Sequence, residues 1–274
     1  MHSHPILAAC FDIDGTLAMM DKDAGTYEAL PGAADALAAC RATDRPVVAY
    51  TNGTFFPPAH YYPLLADAGL EFDDGHIITP AAVAAKYFVD QGYKRIVVLG
   101  GDGTRVPLQD AGIEVLPSSE MHDDVDAIFI GYTRDFGAVD LETLVKSVWA
   151  GAKPYTASNA PSVASSKGLI LGVSGALSAA VTYATDVPVT VLGKPSTVGM
   201  DMVSALTGVR AEETVIIGDD PKLEIIMARR AGALAVGVLT GLADTAKFNS
   251  FPAEERANMI LPGLEDLTSQ PWFA

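Results

Sequence analysis

Asp12 and Asp14 stand two positions apart, directly after the apolar run Ile6-Leu7-Ala8-Ala9-Cys10-Phe11 and directly before Gly15-Thr16. In an extended chain, residues two apart face the same way at about 6 to 7 Å. That is too wide for both side chains to clasp one small cation comfortably, so the pair is read as dividing labour. One carboxylate attacks while the other moves a proton. Gly15 lets the backbone turn tightly and bring amide N–H groups to an anion. A simple Asp-Gly turn would not require the first aspartate.

Three more polar clusters end apolar runs. Thr51-Asn52-Gly53-Thr54 follows Val47-Val48-Ala49-Tyr50 and supplies neutral donors for phosphoryl oxygens, although the same residues also make an ordinary turn. Gly193-Lys194-Pro195 follows Val189 to Leu192 and offers a cation to balance aspartates and a phosphate; a solvated loop lysine is the plainer alternative. Gly218-Asp219-Asp220 follows Val215-Ile216-Ile217 and opens a helix near Pro221. Mg²⁺ takes hard oxygen ligands and keeps several waters, so one carboxylate here and one from the first cluster suffice for it. Asp before Pro also caps a helix, and the two roles are compatible.

The elements that must position these clusters alternate along the chain. Strands are expected at Ile6 to Phe11, Pro46 to Tyr50, Arg95 to Leu99, Ala127 to Ile130, Val189 to Leu192, Thr214 to Ile217 and Ala233 to Val238. Helices are expected at Gly32 to Cys40, Pro80 to Gln91, Leu141 to Ala150, Gly175 to Ala184, Thr197 to Thr207 and Leu223 to Ala231. This rhythm is that of a parallel α/β sheet, where ligands gather at the carboxyl ends of strands. Residues 1–79 and 188–274 carry the polar clusters, whereas 80–187 looks inserted.

With 274 residues, 49% of them hydrophobic, the chain can form one large domain or two modest ones and reads as soluble and globular. No run matches the roughly 20 apolar residues of a membrane span. Met1 to Pro5 lacks a basic region and a long apolar stretch, so no secretory signal is expected. Two cysteines, Cys10 and Cys40, are too few for a disulfide framework and fit a reducing cytoplasm. A net charge of −16, with 18 basic residues scattered among 34 acidic ones, argues against nucleic acid as a partner. It also means that any phosphate site must build its own positive field from a metal, a lysine and backbone N–H groups.

Asp12-Ile13-Asp14-Gly15-Thr16, Thr51-Asn52, Lys194-Pro195 and Gly218-Asp219-Asp220 resemble, in order and placement, the four motifs of the haloacid dehalogenase superfamily of phosphatases. The insertion resembles the subclass with a large α/β cap, as do Pro31-Gly32-Ala33 and Gly131-Tyr132-Thr133-Arg134-Asp135-Phe136. The resemblance implies a Rossmann-like core of 1–79 and 188–274, with a specificity cap of 80–187. Asp12 would be the nucleophile that forms an aspartyl-phosphate, and Asp14 the acid and then the base. Mg²⁺ would be held by the Asp12 side chain, the Asp14 carbonyl and Asp219. Thr51 and Asn52, with amides near Gly15 and Gly53, would hold phosphoryl oxygens, and Lys194 would balance charge. Read from its own position rather than from the resemblance, Asn159 in Thr156-Ala157-Ser158-Asn159 ends a strand of the insertion and either points at the substrate or is an ordinary turn asparagine. The substrate would be a small phosphorylated metabolite, and relatives often pair through their caps as homodimers.

The chain departs from that pattern in places. Leu223 and Glu224 stand where the family commonly has Thr and Asp, which leaves support of the metal to Asp220. Phe55-Phe56-Pro57-Pro58 replaces small polar residues after the second motif and reshapes the substrate entrance. Gly100-Gly101-Asp102-Gly103-Thr104 resembles the phosphate loop of nicotinamide dinucleotide kinases, but its position suits a strand-to-helix turn and nothing else supports a kinase. His2, His4, His60, His76 and His122 lack metal-type spacing. A non-catalytic phosphate-binding or regulatory relative, or a phosphotransferase to an acceptor other than water, is the alternative to a phosphatase; Asp14 speaks against a dehalogenase.

Overall fold

A computed structural model of the protein describes residues 4–21, 24–165, 168–241 and 243–273; His2 lies outside them. The chain forms two compact units. One comprises Met1–Thr51, His60–Ile78 and Lys194–Ala274, the other Asn52–Ala59 and Thr79–Gly193.

The first unit is built on a six-stranded, all-parallel sheet. Its order is Met259–Leu261, Leu234–Val238, Thr214–Gly218, Ala8–Phe11, Val47–Tyr50 and Ile77–Ile78. Ala8–Phe11 is buried throughout, as expected for a strand covered on both faces. It lies between Thr214–Gly218 and Val47–Tyr50, with Cys10 in register with both Ile216 and Val48. Strand order therefore branches at Ala8–Phe11, and the first, second and fourth polar clusters leave neighbouring strand ends together.

The second unit has its own parallel sheet, in the order Thr190–Val191, Lys153–Thr156, Ala127–Ile130, Arg95–Leu99 and Glu114–Pro117. Helix Pro80–Asp90 opens on Thr79, whose hydroxyl accepts from the Ala82 N–H, with Pro80 at the first helical position where its missing N–H costs nothing. Val83 and Phe88 on that helix are core residues. The glycine-rich segment at 100–104 owes its composition to packing. A Cβ on Gly103 would stand 2.6 Å from the Phe56 nitrogen, and one on Gly100 would stand 2.5 Å from Thr104 Oγ1. It is the turn into helix Asp102–Asp110.

Several elements were not expected. A hairpin of Ala18–Asp21 with Thr26–Ala29 follows the first motif, and helix Pro58–Asp67 follows the second. The helix expected from Leu223 instead begins with a wide, π-type turn over Pro221–Ile225 before the α-helix Ile226–Ala231. No helix among the described residues is long and apolar enough to cross a membrane.

Both cysteines are buried and free. Burial pushes the Cys10 thiol up to about 12 and the Cys40 thiol up to about 11, so almost no thiolate exists near neutrality. A thiol-reactive disulfide reagent at pH 8 is expected to modify neither cysteine in the native protein and both in guanidinium chloride. Rapid labelling of the native chain would show that the Ala8–Phe11 strand or the Ala33–Ala42 helix opens far more readily than this packing allows.

Candidate active site

The central strand continues one residue beyond its last regular pair, because the Asp12 N–H donates to the Ile217 carbonyl at 2.9 Å. The chain then turns sharply: the N–H groups of Leu17 and Ala18 both donate to the Ile13 carbonyl, at 3.0 and 2.9 Å. Gly15 sits in this turn at φ +91°, a conformation that side chains disfavour. A Cβ there would also stand 2.7 Å from Asp219 Oδ2, and one on Gly241 would collide with the same carboxylate. The two glycines thus form a bed for Asp219, and Thr240 Oγ1 closes it by donating to the Gly15 carbonyl at 2.6 Å.

Lys194 reaches this strand end from the start of the loop before helix Val198–Thr207. It is 1% exposed, far from the usual fate of a lysine. Its ammonium donates to Asp12 Oδ1 at 2.5 Å, to the Tyr50 carbonyl at 2.6 Å and to Glu224 Oε1 at 2.6 Å, one oxygen for each proton. The Tyr50 ring lies beneath it, 5.3 Å from Nζ. Glu224 turns its other oxygen to the Asp220 N–H, at 3.1 Å. Asp220 itself accepts from the Lys222 N–H at 2.7 Å and caps the turn. Glu224 thus joins the turn at Asp220 to the ammonium of Lys194.

Asp12, Asp219 and Glu224 are all nearly inaccessible to solvent, and among the described residues Lys194 is the one lysine or arginine that is buried. Burial pushes the Asp12 carboxyl well above the ordinary range; Lys194 opposes this, and the Glu224 and Asp219 charges add to it. Burial alone would lower the Lys194 ammonium, but Asp12 and Glu224 outweigh it and hold the lysine above its ordinary value. Three acids and one ammonium leave an excess of negative charge that a divalent cation would neutralise.

No group of three His, Cys, Asp or Glu side chains that could hold a metal occurs among the described residues. The side-chain donors here are two carboxylates, Asp12 and Asp219. That donor set fits Mg²⁺, which binds through one or two carboxylates and fills its other positions with water, carbonyl or phosphate oxygens.

Asp14, by contrast, is exposed. Tyr27, on the hairpin after the first motif, and Tyr61 both lie close enough to the Asp14 side chain to feel its charge. Burial first, and then Asp14, pushes both phenols above their ordinary value. Thr51 is buried in the first unit, and its N–H donates to the Ile78 carbonyl at 3.1 Å. Asn52 and Gly53 belong to the second unit, as does Asn159, an exposed residue three places past the Lys153–Thr156 strand. There the Tyr132 N–H donates to Thr54 Oγ1 at 3.0 Å and the Tyr132 ring packs on Phe55 at 4.1 Å, which ties the segment after the second motif to the Gly131-Tyr132 loop. His60 is exposed.

A parallel α/β sheet that gathers buried acids around one lysine at its central strand end defines an enzyme class built on carboxylate chemistry. The chain belongs to the haloacid dehalogenase-like hydrolase family. Residues 9–114 match the family model for haloacid dehalogenase-like hydrolases, and residues 191–267 match a second, HAD-hydrolase-like model. The haloacid dehalogenase-like hydrolase domain-containing protein 2 of Bos taurus is 31% identical over 249 residues, 89% of this chain and 90% of that one. The dihydroxyacetone phosphatase of Corynebacterium glutamicum is 26% identical over 241 residues, 88% of this chain and 85% of that one. Among solved structures, the glycerol phosphate phosphatase of Mycobacterium tuberculosis in complex with magnesium superposes with a TM-score of 0.84 at 23% identity, covering 96% of this chain and 76% of that one.

Proposed function

We propose that this protein is a Mg²⁺-dependent phosphatase that hydrolyses a small phosphate monoester through an aspartyl-phosphate on Asp12. The observation that carries this reading is the contact of Lys194 Nζ with Asp12 Oδ1 at 2.5 Å, within a buried set of three acids. Lys194 orients the Asp12 carboxylate and leaves its second oxygen to attack phosphorus. Asp14, exposed beside it, gives a proton to the departing alkoxide and then takes one from the water that cleaves the acyl phosphate. Thr51 and the amide near Gly15 supply neutral donors for phosphoryl oxygens. Held by Asp12, the Asp14 carbonyl and Asp219, Mg²⁺ supplies the positive charge that offsets repulsion between nucleophile and phosphate. Residues 80–187 serve as the cap that selects the leaving group. The names of relatives, dihydroxyacetone phosphatase and sugar phosphatase AraL among them, favour phosphates of small polyols and sugars.

The test is phosphate release from nitrophenyl phosphate and a panel of triose, polyol and sugar phosphates, before and after removal of divalent cations with EDTA. Turnover is expected with Mg²⁺ and none without it. Mg²⁺ is also expected to raise the thermal midpoint, since a ligand at 100 times its dissociation constant adds about 2.7 kcal/mol of stability. A chain that binds Mg²⁺ yet cleaves no ester in the panel would be a binding protein rather than an enzyme.

A further inference from the structure

We propose that Tyr50 is a positioning residue for Lys194: the face of its ring, and not its hydroxyl, holds the lysine ammonium against the Asp12 carboxylate. Its effect on turnover rests on the phosphatase reading above. Tyr50 is the last residue of the buried strand Val47–Tyr50, pairs with Ile78 and directly precedes Thr51. It meets Lys194 twice. Its carbonyl accepts from the ammonium at 2.6 Å, and its ring centroid lies 5.3 Å from Nζ, inside the roughly 6 Å over which a ring face attracts a cation. The same ammonium contacts Asp12 Oδ1 at 2.5 Å and Glu224 Oε1 at 2.6 Å.

Tyr50 is fully buried, and helix Val198–Thr207 makes room for it. A Cβ on Gly199 would collide with the Tyr50 hydroxyl and ring, so the helix carries a residue that disfavours helix where it meets this side chain. The hydroxyl gains nothing from the arrangement. It has no hydrogen-bond partner among the described residues, and burial pushes the phenol above its ordinary value, so it stays protonated. An unpaired buried hydroxyl costs stability, and what the site gains from residue 50 is therefore the ring. The charge of the cluster explains why a ring serves. With Asp12, Asp219 and Glu224 already buried, another acid beside Lys194 would add to the negative excess. An aromatic face attracts the ammonium through its quadrupole and brings no net charge. An ammonium held on that face keeps the Asp12 carboxylate in one orientation toward phosphorus, and small losses of orientation are costly in rate.

Tyr50→Phe keeps the face and removes the unpaired hydroxyl. Its kcat on nitrophenyl phosphate is expected within about twofold of the parent, with a higher thermal midpoint. Phenylalanines carrying one to three ring fluorines, incorporated at position 50, weaken the quadrupole step by step and change shape little. With three fluorines kcat should fall about fivefold below Tyr50→Phe while KM stays within about twofold, and Tyr50→Leu, which has no face, should lose about tenfold. Denaturant titrations give a readout without turnover: fluorination should lower the urea midpoint more with Lys194 present than in Lys194→Met, because the ring acts through the ammonium. A kcat indifferent to fluorine number, a loss in Tyr50→Phe as large as in Tyr50→Leu, or equal midpoint shifts with and without Lys194 would overturn the role of Tyr50 and leave the phosphatase reading standing. A parent that cleaves no ester, while the midpoint shift still depends on Lys194, would overturn the phosphatase reading and leave the hold on the ammonium standing.

Discussion

Lys194→Met is expected to lower the unfolding free energy by about 3 to 5 kcal/mol, because it leaves buried acids without their cation. Methionine has a similar length and fills the space between Tyr50 and the strand ends, so loss of packing is a small part of the effect. The charge is the large part: Lys194 is 1% exposed and contacts Asp12, Glu224 and the Tyr50 carbonyl. The pH dependence separates the two. Asp12 already binds its proton at higher pH in the folded chain than an exposed aspartate does, and without Lys194 it does so at higher pH still. A raised folded-state value means that the penalty is present at neutral pH and fades as pH falls toward the ordinary carboxylate range near 4. Denaturant titrations of parent and variant should therefore converge between neutrality and about pH 4. A deficit that stays constant over that interval would assign the effect to packing instead.

The same buried cluster shows how far the sequence could be read. Asp12, Lys194 and Asp219 were legible because each directly follows an apolar run, and charge at the end of a buried strand has few purely structural uses. Glu224 was not. It lies within the wide turn at Pro221–Ile225, where helical periodicity gives no account of a side chain directed to a lysine thirty positions earlier. Tyr27 was hidden for another reason: strands of four residues show too little alternation to reveal a hairpin, and Met19-Met20 obscures what alternation there is. Helix Pro58–Asp67 was masked by its own prolines, since Pro58 is tolerated at the start but Pro63 lies inside. Asn52 illustrates a limit of adjacency. It follows Thr51 in sequence, yet the two belong to different units, because contacts such as Thr54 with Tyr132 draw the segment after Thr51 toward the second.

Asp12→Asn is expected to reduce turnover by about 10³-fold or more, the scale on which loss of a covalent nucleophile is measured. Stability should not fall with it. The substitution removes one of three buried acids that share a single ammonium, and an amide oxygen can still accept from Lys194, so the variant is expected to be at least as stable as the parent. Asp14→Asn separates the two halves of the reaction. Nitrophenolate leaves without a proton, so Asp12 can still take the phosphoryl group, but no base remains to activate water against the acyl phosphate. A rapid-quench experiment with nitrophenyl phosphate should then give a burst near one nitrophenol per chain in Asp14→Asn, with phosphate on the protein in a hydroxylamine-labile form. Asp12→Asn should give no burst and no labelled protein. A burst that survives Asp12→Asn would move the nucleophile elsewhere, and with it the reason for holding this carboxylate against Lys194.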